Sequence, residues 1–129
     1  MNLPHLANAE LAIMELLWER GDLTARTIKE ALYPGTRSSQ HGTVQRLLQR
    51  LEDKGFVSRD RKLPVHLFAA AVSRETYASS QLETLTGKLT GGSLAPLITH
   101  LIQEEKLSPD EIQRLRRILD EQADDGEEP

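Results

Sequence analysis

Along the first 55 residues, hydrophobic side chains recur three and four positions apart, which is the period of amphipathic α-helices. The spacing predicts three helices, over residues 8–20, 25–32 and 41–54, each followed within a few residues by a glycine. We expect Asn8 and Thr24 to cap the first two, because short polar side chains accept hydrogen bonds from the free N–H groups of a first helical turn.

From Phe56 onward the pattern changes to an alternation with period two, which is typical of β-strands. Residues 56–59 and 65–68 predict two short strands, joined by the polar, proline-containing segment 60–64. Three helices followed by a β-hairpin is the order of a winged helix-turn-helix. A generic small helical domain that ends in a hairpin is the alternative, and the order, the lengths and the charge placement favour the winged helix.

The remainder of the chain is helical in pattern, with a break at Gly91-Gly92 and a capping box at Ser108–Glu111. So short a unit has too little interior to bury its own apolar stripes, so we expect a second copy of the chain to cover them. Folding back onto the winged helix of the same chain is the alternative. The expected dimerisation residues are Leu82, Leu85, Leu89, Leu94, Leu97, Ile98, Leu101, Ile102, Ile112, Leu115, Ile118 and Leu119.

The predicted fold class is therefore mainly α with a small β-wing. We expect a winged-helix DNA-binding domain over residues 1–72 and a helical dimerisation domain over 73–123. Residues 124–129 are expected to form an acidic disordered tail.

Composition narrows the possible chemistry. The 129 residues include no cysteine, which excludes disulfides, thiolate metal sites and cysteine nucleophiles. The four histidines stand singly and there is no glycine-rich phosphate loop, so we expect neither an enzyme nor a bound metal or cofactor. No apolar run approaches the ~20 residues of a membrane helix, and the start of the chain does not resemble a signal peptide, which predicts a cytoplasmic location.

The net charge of −4 averages over two unlike parts. Residues 1–72 hold 10 basic and 8 acidic side chains, whereas residues 73–129 hold 6 and 12. Between Arg37 and Lys62 there are 7 basic residues and 3 acidic ones. A basic N-terminal part joined to an acidic C-terminal part fits an anion-binding module attached to a second unit.

The third predicted helix carries the most informative surface. Opposite its apolar stripe lie arginine and glutamine side chains, which can bridge the edges of guanine and adenine in the major groove. Gly42 lies in the middle of this face, either to let DNA approach closely or to permit a tight corner between helices. The candidate DNA-binding residues on and before this helix are Ser38, Ser39, Gln40, His41, Gly42, Thr43, Gln45, Arg46, Gln49 and Arg50.

The hairpin adds a second group of candidates. Arg59, Arg61 and Lys62 give the wing a positive tip, which is expected to contact the phosphates of the neighbouring backbone. The alternative is that these charges only keep the hairpin soluble.

Taken together, these motifs resemble the penicillinase-repressor family of winged-helix transcriptional repressors (the BlaI, MecI and CopY type). The resemblance extends over nearly the whole chain, to about Glu121, and lies in the order and spacing of several motifs. They are Ala9–Leu11 with Met14 and Leu17-Trp18, Thr43–Leu48, Arg50–Val57, Val72–Glu75, Gly91-Gly92, and Leu107–Ile112 with Leu115-Arg116.

The resemblance implies a homodimeric repressor on double-stranded DNA, with winged helices on the two halves of a palindromic operator. It also implies release by proteolysis of the C-terminal part, linked to a membrane sensor with a metallopeptidase domain. Without cysteine, the copper sensing of CopY-type members is excluded. The position that matches the Asn-Phe cleavage site of the antibiotic-responsive members reads Thr99-His100, so either the cleavage specificity differs or release occurs in another way. The alternative function is a winged helix that binds an acidic protein instead of DNA.

Overall fold

The computed structural model describes residues 3–36 and 39–126, and in these ranges the chain is mainly helical with one small sheet. The predicted fold class, an N-terminal winged helix followed by further helices, is confirmed. In chain order the elements are α1 (Asn8–Arg20), β1 (Leu23–Thr24), α2 (Ala25–Leu32), α3 (His41–Asp53), β2 (Val57–Asp60), β3 (Leu67–Ala70), α4 (Arg74–Thr90), α5 (Ala95–Gln103) and α6 (Pro109–Gly126).

The sheet is antiparallel with the order β1-β3-β2, so β3 is the central strand. Val57 pairs with Ala70 and Asp60 with Leu67 in the hairpin, while Leu23 pairs with Phe68 on the other edge. Strand β1 was not predicted from the sequence, since two residues carry no periodic pattern of their own.

The second strand of the hairpin begins two residues later than predicted, which lengthens the wing loop to residues 61–66. Proline has no N–H to donate to a ladder, so Pro64 itself is unsuited to a paired position in the hairpin. The wing therefore presents a longer loop than the alternation suggested.

One apolar core holds the winged helix together. Helices α1, α2 and α3 each turn one stripe inward, and the two phenylalanines of the hairpin region belong to the same core. Its fully buried side chains include Ile13, Met14, Ile28, Val44, Leu48, Leu51, Phe56 and Phe68. Removing these side chains from water is the main source of stability for a unit of this size.

The predicted capping residue is correct for one of the first two helices and wrong for the other. Thr24 caps α2 as predicted, since its hydroxyl accepts a hydrogen bond from the Thr27 N–H at 3.1 Å. The prediction of Asn8 as the cap of α1 is wrong, because Ala7 occupies that position and its N–H donates to the Glu10 carboxylate at 2.9 Å.

Backbone contacts divide the chain into two compact units, one ending at Leu85 and one beginning at Thr86. The division falls within α4 and not at Val72, because the first half of α4 belongs to the winged helix. Tyr77 and Ser80 on that half are buried and accept hydrogen bonds from the Leu6 and Leu3 N–H groups, at 2.9 and 2.8 Å.

The second unit contains the end of α4 and the helices α5 and α6. Gly91 and Gly92 take positive φ angles of 67° and 103°, which end α4 as the sequence predicted. The capping box is also present, since Ser108 and Glu111 exchange hydrogen bonds of 3.1 and 3.2 Å. Helix α6 extends to Gly126 and so includes the first residues of the predicted tail, whereas residues 127–129 lie outside the described part.

Candidate nucleic-acid interface

Helix α3 has one buried and one exposed face, as its sequence predicted. Val44, Leu48 and Leu51 are fully buried against α1 and α2. On the opposite side Gly42, Arg46, Gln49 and Asp53 are exposed. The face that carries the candidate base-reading side chains is therefore open to a partner.

The guanidinium of Arg46 lies over the first turn of α3. Its Nη2 is 3.5 Å from the Thr43 hydroxyl, and its Nη1 would lie 3.6 Å from a Cβ placed on Gly42. Among the described residues outside the local backbone, no other heavy atom lies within 4 Å of that Cβ position, so packing between these helices does not require a glycine here.

The two halves of the exposed face differ in charge. In the C-terminal half, the Gln49 amide donates to Asp53 at 2.9 Å and lies 3.5 Å from Glu52. Arg50 is also exposed at this end, whereas the N-terminal half carries His41 and Arg46 and no carboxylate. The charge distribution thus points to the first two turns as the part suited to a nucleic acid.

Arg59 is placed differently from the other wing cations. Its guanidinium stacks over the Phe68 ring at 4.6 Å and lies 3.5 Å from the Glu52 carboxylate, and its side chain is only 13% exposed. By contrast, Arg61 is exposed while it pairs with Glu52 at 3.0 Å, and Lys62 lies exposed in the loop. Arg59 therefore packs the wing against α3, whereas the other two can reach a partner.

A cleft separates the N-terminal half of α3 from the wing. Its walls come from α2, α3, β2, β3 and the wing loop, and its floor is apolar. The lining residues are Ala25, Arg26, His41, Gln45, Arg59, Pro64, Val65, His66 and Phe68.

Arg26 and His66 were absent from the sequence-based candidates, although both line this cleft. The first helix of a helix-turn-helix crosses the phosphate backbone, so an exposed cation in the first turn of α2 was the pattern that could have identified Arg26. Only the fold reveals His66, because the cleft brings together residues from distant parts of the chain.

Some of the remaining candidates before and on α3 form polar contacts within their own chain. The Ser39 hydroxyl donates to the Thr36 carbonyl at 2.6 Å, and the Gln45 amide nitrogen lies 3.4 Å from His41 Nε2. Gln40 precedes the helix without a side-chain capping bond, and Arg50 is exposed. Ser38 lies outside the described residues.

The candidate dimerisation residues share one property, which is that none of them is buried in the single chain. In the second unit, α5 has no buried residue, and an apolar groove runs between α5 and α6. Its apolar lining is formed by Ile98, Ile102, Ile112, Leu115, Ile118 and Leu119. Thr99 and His100, the candidate cleavage position, are exposed on α5.

Among the described residues, no group of three histidine, aspartate or glutamate side chains is arranged to hold a metal ion. Nor is any of the helices described here both long and apolar enough to cross a membrane.

The three-helix core, the hairpin wing and the exposed polar face of α3 define a winged helix-turn-helix protein. The chain belongs to the penicillinase repressor family, whose family model matches residues 6–121. This match confirms the predicted family. Because the family consists of DNA-binding transcriptional repressors and not of enzymes, the prediction that the chain is not an enzyme is confirmed as well.

Individual relatives show the same similarity. The chain is 33% identical over 130 aligned positions to the transcriptional regulator BlaI of Mycobacterium tuberculosis, covering 98% of this chain and 92% of the relative. It is 26% identical over 120 positions to the penicillinase repressor of Bacillus licheniformis, covering 92% of each. The solution structure of the DNA-binding domain of the repressor BlaI is also similar, with a TM-score of 0.49 and 23% sequence identity. The alignment covers 60% of this chain and 94% of the BlaI domain.

Proposed function

We propose that this chain is a dimeric transcriptional repressor that binds a palindromic DNA operator and is released by proteolysis in its C-terminal region. The observation that carries the proposal is the exposed N-terminal half of α3, which stands beside a cationic wing in a member of a repressor family. A helix with one open polar face is the element that the major groove admits.

In this proposal the first two turns of α3 read the base edges. Arg46 has the fork that bridges guanine O6 and N7, and Gln45 has the amide that bridges adenine N6 and N7. Both lie in the N-terminal half of α3, which is the part of a recognition helix that contacts bases. The acidic residues Glu52 and Asp53 lie at the other end of the helix, away from the bases.

Phosphate contacts come from the wing and from the cleft beside α3. Arg61 and Lys62 are exposed in the loop after β2, and Arg26 and His66 line the cleft. Side chains that donate hydrogen bonds to phosphates at these positions fix the position of the protein on the duplex without reading its sequence. Arg59 is left out of this set because it is packed against Phe68.

Dimerisation is proposed to occur through the exposed apolar side chains of α4, α5 and α6. Large apolar side chains in a monomer are usually scattered singly over its surface, whereas those of α5 and α6 line one groove here. In a symmetric dimer the same patch serves both chains, and it places two winged helices on two half-sites.

Release by proteolysis is proposed from membership of the family and from the exposure of the candidate position. Thr99-His100 lies on the exposed side of α5, between the groove-lining residues Ile98 and Ile102. Cutting here would split the proposed dimer surface. The proposed partner is a membrane sensor metallopeptidase or a protease linked to it.

The experiment that tests DNA binding is a titration of the full chain with random duplex DNA at several salt concentrations, followed by selection from a random library. We expect binding that weakens steeply with salt, because phosphate contacts release counterions, and enrichment of inverted repeats. Failure to bind duplex DNA at low salt would favour the alternative, a winged helix that binds an acidic protein.

A further inference from the structure

Two arginines of the wing converge on one carboxylate in the last turn of α3. The Arg61 Nη2 lies 3.0 and 3.3 Å from the two oxygens of Glu52, and the Arg59 Nη2 lies 3.5 Å from one of them. The Glu52 side chain is 20% exposed, so water reaches this carboxylate only in part. Glu52 therefore connects α3 to the wing through two cations.

A carboxylate at this position is disfavoured by its own helix. Glu52 lies near the C-terminal end of α3, where the helix dipole carries a partial negative charge. The Gln49 amide, one turn earlier, lies 3.5 Å from Glu52 but donates its shorter bond to Asp53 at 2.9 Å. The contacts that offset the cost of a charge at Glu52 are therefore those with the two wing arginines.

The two arginines differ in how firmly they are held. Arg59 stacks over the Phe68 ring and is nearly buried, so the fold itself fixes its pairing with Glu52. The Arg61 side chain is 58% exposed, and both of its short distances to Glu52 start from a single nitrogen. A guanidinium that binds a carboxylate with its full fork uses two nitrogens. The Arg61 pair is therefore the one that a phosphate can displace.

We infer that Glu52 is a specificity-determining residue, because it makes the phosphate contact of Arg61 depend on how the protein is placed on the duplex. The inference rests on the proposed DNA binding. On an operator, base contacts favour one placement, and a phosphate within reach of Arg61 in that placement displaces Glu52. On random DNA many placements are sampled, and most offer no phosphate close enough to compete with a carboxylate that is already bonded.

The consequence is a lower affinity for DNA of the wrong sequence. Binding to a random duplex rests almost wholly on phosphate contacts, and each contact releases counterions. Glu52 withholds one cation from these contacts. On an operator the only loss is the free energy of the exposed pair between Arg61 and Glu52, which is small for pairs of this kind.

The test compares the wild-type full chain with Glu52→Gln on a duplex selected from a random library and on a scrambled duplex. Glutamine keeps the shape of the side chain without its charge, so it releases Arg61. On the scrambled duplex we expect roughly ten-fold higher affinity and a slope of log affinity against log salt that is steeper by about 1. On the selected duplex we expect a gain below about five-fold and an unchanged slope.

Two further variants assign the effect to the pair. In the described part of the chain Asp53 contacts Gln49 and no wing arginine, so Asp53→Asn removes a neighbouring charge without releasing Arg61. It should change the affinity for both duplexes by one small factor. Arg61→Gln removes the cation that Glu52 holds, so Glu52→Gln added to Arg61→Gln should leave the salt slope on scrambled DNA unchanged.

The outcomes separate this inference from the proposed function. If the wild-type chain binds no duplex at low salt, DNA binding itself fails, and the inference fails with it. If the wild type binds DNA but Glu52→Gln gains as much on the selected duplex as on the scrambled one, or gains equally without Arg61, only the role of Glu52 in specificity is overturned. Lower affinity for both duplexes together with a lower melting temperature would overturn it as well, and would make Glu52 a structural contact of the wing.

Discussion

Lys54 at the end of α3 places its ammonium nitrogen 2.9 Å from both carboxylate oxygens of Glu10 in α1. The Glu10 side chain is 3% exposed, and it also accepts the Ala7 N–H at the start of its own helix. This ion pair joins the first helix to the C-terminal end of the helix proposed to read DNA. It fixes the C-terminal end of α3 in the fold, which is the end that we propose lies away from the bases.

We expect Lys54→Met to lower the free energy of unfolding by about 1–3 kcal/mol, because it leaves a buried carboxylate without its cation. Arg61→Met is the matched control, since Arg61 pairs with Glu52 at a similar distance but in an exposed position. Exposed pairs contribute only about 0–1 kcal/mol. Urea unfolding of the two variants measures the difference, and equal losses would contradict the special role of the buried pair.

The same contact makes stability depend on pH. Burial raises the pKa of the Glu10 carboxyl, but the Lys54 hydrogen bond, the Ala7 N–H and the charges of Lys54 and Arg50 outweigh it, so this pKa lies below the ordinary value of 4.5. The unfolded chain then takes up the proton first. The contribution of Glu10 is therefore complete above pH 4.5 and is lost as pH falls through the lower folded value.

Glu10→Gln removes the titrating group and should abolish this part of the pH dependence. At neutral pH the variant is expected to be less stable than the wild type, and the gap should narrow as the pH falls below 4.5. Hydrogen bonds with Ser108 also lower the pKa of Glu111, but that contribution is the same in both chains. A gap in unfolding free energy that stays constant across this range would show that Glu10 does not titrate as described.

The sequence predicted the helices well because their apolar stripes are long and regular, as in α3 with its buried Val44, Leu48 and Leu51. It did not predict the inward turn of Arg59, since alternation along a strand does not show that Phe68 on the neighbouring strand offers a ring for stacking. It also missed Arg26 in the cleft, because that neighbourhood depends on how α2 packs beside the wing. The period of apolar residues along one segment does not show which distant segment packs against it.

The proposed dimer can be tested on α6. Leu119 is 66% exposed in the single chain, so Leu119→Asp should leave the fold of the chain intact. A leucine buried at an interface contributes about 1.5–3 kcal/mol, and a symmetric dimer loses this contact twice. We expect monomers by sedimentation, whereas the matched variant Gln122→Asp should stay dimeric. Dimers of unchanged affinity in Leu119→Asp would place the interface elsewhere.

A substitution at Gly42 can distinguish an effect on stability from an effect on DNA affinity. Gly42→Ala should not destabilise the chain, because the added Cβ meets, of the residues that the structure describes, only Arg46 at 3.6 Å, and alanine is favoured over glycine in a helix by up to about 1 kcal/mol. On DNA we expect a loss of roughly ten-fold, since the methyl group stands on the proposed contact face. Gly87→Ala in α4, where a Cβ meets nothing within 4 Å, is the control that should bind normally. Unchanged binding by Gly42→Ala would end the close-approach explanation.

The last prediction distinguishes base reading from phosphate contact. Arg46 lies on the open face of α3, with its guanidinium near Gly42 and Thr43, where it can turn toward a guanine edge. We expect Arg46→Ala to lose about 1–3 kcal/mol on a selected duplex and little on a scrambled one, because a bidentate guanine contact carries sequence information.

Lys62→Ala is the matched cation variant in the wing. A lysine that contacts only phosphate weakens binding to both duplexes alike, and its removal should reduce the slope of log affinity against log salt by about 1. Titration of both variants against both duplexes at several salt concentrations measures these terms separately. An Arg46→Ala variant that loses equally on the two duplexes, with a reduced salt slope, would make Arg46 another phosphate contact and leave base reading to Gln45.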